Sequence, residues 1–306
     1  MNAGPVVGRI VLITYNSAIH LPGLLRDLEP LARSGEYSVT VVDNGSQDGT
    51  LAVLRAVDWV RLIQAPENPG YAGAINRARA DGPAGVPTLI LNPDVRIPSA
   101  AVRALFTALE RPGVGIAAPT IEDPDGTTHP SLRREPSLLT AVGDAVLGSR
   151  VRRRPGRFSE LIRNTADYPQ IDEVAWATGA VLAVSADCDR AVGDWDSGRF
   201  FLYSEETDYC RRARACGFSV VHVPDAVAMH VGAGSGDSAS LQALQAVNRV
   251  RYYRKHHPRP AAWAFRVVVA LHALARLRRP GQRRALGVLC GVWSVATLPG
   301  GRPGAL

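Results

Sequence analysis

Apolar and polar positions in the first half of the chain alternate in blocks. RIVLITYN (9–16) stays apolar until it ends in polar residues, as a strand buried on both faces does. HLPGLLRDLEPLAR (20–33) follows with apolar residues at helical spacing. The two patterns then recur. YSVTVVD (37–43), WVRLIQA (59–65), VPTLILN (86–92) and VGIAAP (114–119) read as strands, while QDGTLAVLRAV (47–57), GYAGAINRARA (70–80) and residues 98–110 read as helices. Such alternation predicts an α/β fold with a mostly parallel central sheet flanked by helices. A ligand is then expected across the carboxyl ends of the strands.

The rest is less regular. Residues 120–175 carry DPDG (123–126), Pro130, Pro136 and the basic residues Arg150, Arg152, Arg153, Arg154 and Arg157, which suggests loops around a cleft. VAWATGAVLAVS (174–185) reads as a strand and EETDYCRRARACG (205–217) as a helix stopped by Gly217. FSVVHVP (218–224) and AVAMHVG (226–232) read as two strands and GAGSGDSAS (232–240) as a linker; two or three arginine-studded helices with Trp263 and Trp293 follow. No internal repeat is present. The expected division is a catalytic unit over 1–238 and a basic amphipathic helical tail over 239–306.

Charge sharpens that division. The chain of 306 residues is 46% hydrophobic and 21% charged, ordinary for a folded protein, with a net charge of +7. Twelve of the positive charges follow Asp237 and no acidic residue does, so the first 237 residues carry −5. A basic tail seeks phosphate-rich surfaces. Interleaved Leu, Val and Trp, with no nucleic-acid reader motif, favour an anionic membrane surface over nucleic acid. Neither apolar stretch in the tail suits a span: 260–275 contains Arg266 and His272, and 285–298 is shorter than the about 20 residues required. Cys188, Cys210, Cys216 and Cys290 lack CxxC spacing, and no cleavable signal precedes the first strand, so a cytoplasmic setting is expected.

Acidic stations stand at 41–50 (VVDNGSQDGT), 91–95 (LNPDV) and 201–212 (FLYSEETDYCRR), followed by His230. Asp43 ends a strand and can accept hydrogen bonds from a base or ribose, although Asp-Asn-Gly-Ser serves a turn equally well. Asp94 can give a hard divalent cation one oxygen ligand, and His230 can return a second to the same cleft. Glu205 and Glu206 begin a helix, where the dipole favours acids in any case; as neighbours in a cleft they also repel, which suits one to general-base work on an alcohol. Asp208 reads as an ion-pair or capping residue for Arg211 and Arg212.

With ITYN (13–16), ENPGYAGAIN (67–76) and TGAVLAV (178–184), these stations make the chain resemble the inverting family 2 glycosyltransferases of the GT-A (Rossmann-like) fold, from about residue 9 to 232. The resemblance implies that Thr14, Tyr15, Asn16 and Asp43, with Asn44 beside them, hold base and ribose. Asn68, Gly70 and Asn76 would shape the nucleotide pocket, Asn92 would stand near the ribose, and Asp94 with His230 would bind Mg²⁺ or Mn²⁺ on the diphosphate. Glu206 occupies the position of the family's catalytic aspartate; Glu205 is the alternative base. DPDGTTHPSLRREPSL (123–138) is similar to bacterial rhamnosyltransferases that act on polyprenyl-diphosphate-linked sugars. The implied partners are a dTDP- or UDP-sugar, a lipid-linked or other saccharide acceptor and the inner face of the cell membrane, with a homodimer left open. A sugar-nucleotide-binding scaffold without activity is the competing class. A nucleotidyltransferase is disfavoured because no glycine-rich loop with a following lysine stands near the first strand.

Overall fold

The computed structural model describes residues 6–82, 85–147, 155–232 and 238–301. Gly8–Thr14 (β1), Tyr37–Asp43 (β2), Val60–Gln64 (β3) and Thr88–Leu91 (β4) form a parallel block in the order β3-β2-β1-β4. The helices between them are Leu21–Arg33 (α1), Thr50–Arg55 (α2) and Gly70–Asp81 (α3). α1 turns Leu21, Leu24, Leu25, Leu28 and Leu31 onto the sheet, each such side chain contributing about 1.5–3 kcal/mol on burial. α2 is shorter than its pattern because Asp48 stops it: its Oδ1 accepts from Thr50 N at 2.9 Å.

Beyond β4 the topology departs from simple alternation. Val95–Arg96 (β5), Ser99–Ala108 (α4), Val114–Glu122 (β6), Leu132–Arg133 (β7) and Leu138–Leu147 (α5) precede Trp176–Ala177 (β8), Val181–Val184 (β9), Ala186–Val192 (α6), Glu205–Ala215 (α7) and Ser219–His230 (β10). The full sheet order is β3-β2-β1-β4-β9-β6-β10-β5, with β7 and β8 in a separate ribbon. β6 and β10 are parallel, but β9 runs antiparallel between β4 and β6, and β5 runs antiparallel at the edge. The sheet is therefore mixed, with its parallel character concentrated in β1–β4.

Three expectations need correcting. Residues 174–185 are two strands in two different sheets, because the backbone turns at Thr178–Ala180. Residues 218–232 hold one strand, with a register shift between Val223 and Val227 that absorbs Pro224, which has no N–H to give a ladder. The stretch 120–175, read as loops, contains β7 and α5. Arg150, Arg152, Arg153 and Arg154, and residues 233–237 of the linker, lie outside the described residues.

The last helices are Ala239–His256 (α8), Arg259–Leu274 (α9) and Pro280–Leu289 (α10). They share an apolar cluster, including Leu244, Val247, Phe265 and Val288, with Ala141 of α5 and with Phe201, Leu202 and Tyr203. Charge ties them to the body as well. Asp208 of α7 is fully buried; it accepts from Arg212 Nε at 2.8 Å and from Lys255 Nζ and His256 Nε2, both at 2.7 Å. Arg212 is the expected partner one turn away, whereas Lys255 and His256 come from α8. Burial alone would raise the Asp208 pKa; the hydrogen bonds from His256, Lys255 and Arg212 outweigh it and hold the carboxyl down to about 2.

Because the folded-state pKa is depressed, the stabilisation by Asp208 is present above the ordinary aspartate range and is lost as pH falls through about 2. Asp208→Asn leaves Arg212 without its carboxylate partner and takes from Lys255 one of its two. It is expected to cost about 3–5 kcal/mol at pH 7 in chemical denaturation. An unchanged midpoint would show that solvent already screens the cluster.

Candidate active site

The site begins where β5 pairs with β10. Val95 stands opposite His230, and Val231 N donates to Asp94 O at 2.8 Å. This pairing brings two side chains far apart in sequence together: His230 Nε2 lies 3.2 Å from Asp94 Oδ2. The Asp94 contact raises the His230 pKa against the opposing effect of burial. Asp94 Oδ1 is buried without a hydrogen-bond partner. Gly232 allows this approach, since a Cβ there would stand 2.7 Å from Asp94 Oδ2.

The carboxylate pair is delivered by an unusual backbone. Tyr203 and Ser204 both take left-handed conformations with φ of 70°, costing on the order of 1–3 kcal/mol each for residues with a side chain. α7 starts at the next residue, so Glu205 and Glu206 stand in its first turn. Asn248 of α8, fully buried, holds the strained segment by donating from Nδ2 to Leu202 O at 2.9 Å and Tyr203 O at 3.2 Å. On the other side Tyr71 N donates to Phe201 O at 2.8 Å. Gly70, at φ 80°, is required here: a Cβ would come within 2.3 Å of Phe201 O.

Asn92, Asp94, Glu205, Glu206 and His230 all line one cavity of about 590 Å³. Glu205 is 4% exposed and its Oε2 has no partner; burial and then repulsion from Glu206 push its pKa well above the usual carboxylate range. Glu206 is half-buried, and burial lifts it to about 7, with Glu160 adding to the rise and Arg133 opposing it. Near neutrality the pair therefore presents one protonated and one titrating carboxyl. Tyr71, whose hydroxyl donates to Gly179 O at 2.9 Å, packs beside them.

The other sequence-predicted residues lie outside this cavity. Asp43 is 1% exposed and serves its turn: Oδ1 accepts from Thr14 Oγ1 at 3.0 Å and Ser46 Oγ at 2.5 Å, and Oδ2 accepts from Ser46 N at 2.9 Å. Asn16 accepts from Gln47 N at 2.8 Å, and Tyr15 is 56% exposed beside it. Asn44 Nδ2 donates to Gly70 O, and Asn68 Oδ1 accepts from Gly70 N, both at 3.2 Å. Asn76 uses its whole carboxamide to clamp the Trp195 backbone, donating to O at 2.8 Å and accepting from N at 2.9 Å. It thereby ties α3 to the segment around Trp195.

Sequence reasoning missed several other residues that line the cavity. Arg133 of β7, Trp176 of β8, Glu160, and Gln245 and Arg249 of α8 all face it. Tyr71 follows Gly70 in a motif already singled out and could have been found there; Arg133 and Arg249 carry no spacing signal, being two arginines among many.

Fold and site can now be set beside known proteins. The family model described as Glycosyl transferase family 2 matches residues 9–169. The N-acetylglucosaminyl-diphospho-decaprenol L-rhamnosyltransferase of Mycobacterium tuberculosis is 34% identical over 297 residues, 90% of this chain and 95% of that protein. The low-salt glycan biosynthesis hexosyltransferase Agl10 of Haloferax volcanii is 26% identical over 67% of this chain and 61% of its own length. Among solved structures, the Pyrobaculum calidifontis mannosyltransferase PcManGT in complex with GDP-Man and Mn²⁺ superposes with a TM-score of 0.53 at 17% identity, covering 98% of this chain and 80% of that one. GalNAc-T7 with UDP, GalNAc and Mn²⁺ gives 0.61 at 12% identity, covering 94% and 56%. The fold is the GT-A fold.

Removing the Asn248 clamp should loosen the segment carrying the two glutamates. Asn248→Ala is expected to cost about 1–3 kcal/mol and to speed amide hydrogen exchange in 202–206 more than in β1–β4. Uniform exchange across the chain would show that α8 does not restrain this turn.

Proposed function

The chain belongs to glycosyl transferase family 2, and from that premise we propose that it transfers L-rhamnose from dTDP-rhamnose to a hydroxyl of a polyprenyl-diphosphate-linked N-acetylglucosamine, inverting the anomeric carbon. One observation carries this reading: Asp94, His230 and the glutamate pair share a single cavity that is also lined by residues of α8. The similarity to the decaprenol-linked rhamnosyltransferase over nearly its whole length supports the choice of sugar and acceptor.

In this reading Glu206 takes the proton of the acceptor hydroxyl. That oxygen forms the new bond to the anomeric carbon from the face opposite the nucleotide, and the bond from that carbon to the diphosphate oxygen breaks. Glu205, more strongly protonated, stays neutral and lets its neighbour ionise near pH 7. Asp94 and His230 fit a divalent cation, because Asp94 Oδ1 is otherwise orphaned and His230 Nε2 stands at Oδ2 of the same carboxylate. No cluster of three or more metal-binding side chains occurs among the described residues, so other ligands would come from the donor and water. Mg²⁺ or Mn²⁺ bound there supplies positive charge for the departing diphosphate. Exposed Tyr15, with Thr14, Asn16, Asp43 and Asn44, forms the edge proposed for base and ribose, and Asn68, Gly70 and Asn92 continue it.

No described helix is long and apolar enough to cross a membrane. Exposed Trp263, Leu271, Leu274, Val292 and Trp293 share α9, α10, the link between them and the turn beyond with exposed Arg259, Arg278, Arg279 and Arg283. This composition suits the headgroup layer of an anionic bilayer, where the lipid-linked acceptor resides.

Turnover should rise with pH through about 7 and level off above it, because Glu206 must lose its proton to act. Glu206→Gln should lower kcat by about 10²–10⁴-fold while dTDP affinity, read by calorimetry, stays close to wild type. If Glu205→Gln is the crippled variant instead, the roles are exchanged. Purified wild type that turns over neither dTDP-rhamnose nor a UDP-hexose would leave only a sugar-nucleotide-binding scaffold. Full-length protein should float with vesicles containing anionic lipid, and Trp263→Ser with Arg278→Glu should reduce flotation; equal flotation of both would remove the bilayer proposal.

A further inference from the structure

The cavity that holds Asp94 and His230 is also lined by Arg133, whose guanidinium makes no ion pair with a carboxylate among the described residues. Arg133 sits in a rigid ribbon: β7 and β8 pair it with Trp176, Ala175 N donates to its carbonyl at 3.1 Å, and a further bridge joins it to Leu161. Its guanidinium lies over the Trp176 indole, 5.5 Å from the ring centroid, and Nη1 donates to Pro130 O at 2.8 Å. Burial lowers its pKa, so its positive charge is poorly solvated. Arg249, facing it from α8, is by contrast neutralised by Glu160 at 2.8 Å and Asp144 at 3.4 Å. Among the described residues no carboxylate forms an ion pair with Arg133.

A half-desolvated guanidinium held in a fixed direction, with donors left over and a cavity before it, is built for an anion that arrives with a ligand. We propose that Arg133 is the diphosphate-binding residue of the acceptor subsite. It recognises the phosphate groups that join the acceptor's sugar to its lipid, and the planar guanidinium can hold two phosphate oxygens at once. This rests on the glycosyl-transfer reading above. The donor also carries a diphosphate, but Arg133 is bridged to Leu161, the neighbour of the Glu160 that pairs with Arg249 of α8, whereas Asp94 is held beside His230 at the β5–β10 edge. That link puts Arg133 toward α8, the part of the cavity assigned here to the acceptor. A sugar whose diphosphate is anchored there has its hydroxyls within the same cavity as Glu206, which makes Arg133 a selector for lipid-diphosphate sugars over neutral glycosides.

The test compares wild type, Arg133→Gln and Arg133→Lys at a pH on the plateau of the wild-type profile. Two acceptors are used, a short-chain prenyl-diphosphate-linked N-acetylglucosamine and octyl N-acetylglucosaminide. Wild type should prefer the diphosphate acceptor, and Arg133→Gln should shrink the ratio of the two KM values by about tenfold or more, with Arg133→Lys between. Farnesyl diphosphate in EDTA should bind wild type and bind Arg133→Gln at least about tenfold more weakly, while dTDP binds both alike. Parallel KM changes on both acceptors, or loss of dTDP affinity in step with farnesyl diphosphate, would overturn the assignment. The farnesyl diphosphate measurement needs no sugar donor. Arg133-dependent binding without any transfer would count against the glycosyl-transfer reading alone, whereas farnesyl diphosphate binding that ignores Arg133 sinks the subsite whatever the enzyme turns over.

Discussion

Two carboxylates on consecutive residues, both withdrawn from water, repel one another, and much of the architecture around the cavity exists to hold them there. Neither Glu205 nor Glu206 has an ion-pair partner among the described residues. Each is raised in pKa by burial, and Glu205 further by its neighbour. The positive end of α7 offsets part of that cost. The left-handed turn at Tyr203 and Ser204 adds strain rather than relieving it. The net position is tenable only because the surroundings over-determine it: α3 grips Phe201, α8 grips Leu202 and Tyr203 through Asn248, and the buried Asp208 cluster fixes the same first turn of α7.

The C-terminal helices thereby acquire two duties. Their inner face supplies Asn248, Lys255 and His256 to brace α7, and Arg249 and Gln245 to close the cavity. Their outer face keeps exposed tryptophan, leucine and arginine. Charge on these helices is divided the same way: Arg249, which lines the cavity, is neutralised by Glu160 and Asp144, while Arg259, Arg278, Arg279 and Arg283 are exposed. Lys255, the single lysine in the chain, is drawn into the buried cluster with Asp208 and Asp196. The basic excess beyond residue 237 is thus partly structural and partly surface.

The metal-binding candidate depends on sheet geometry in the same manner. Asp94 belongs to the turn after β4, and His230 to the end of a strand formed some 135 residues later. Only the two-residue β5, paired antiparallel with β10, places them 3.2 Å apart. So short a strand has almost no intrinsic preference for pairing; the long β10 beside it and the helix α4 after it decide its position.

What the chain determines locally, its sequence showed. The parallel block β1–β4, helices α1, α3 and α7, and the acidic stations at their ends follow from apolar periodicity and turn chemistry, which act within a few residues and leave a pattern in order. Asp43, Asp94, Glu205, Glu206 and His230 were visible as polar residues at element ends. Tertiary structure alone decided that β9 inserts antiparallel, that 120–175 folds into β7 and α5, and that Asp94, the glutamate pair and His230 line one cavity. It also decided which arginines are paired and which are not. Arg133 and Arg249 are identical in chemistry, and only contacts across the fold leave one neutralised by Glu160 and the other bare beside Glu206. Packing and electrostatics at this range depend on where distant segments meet, and that information is carried by no short stretch of residues.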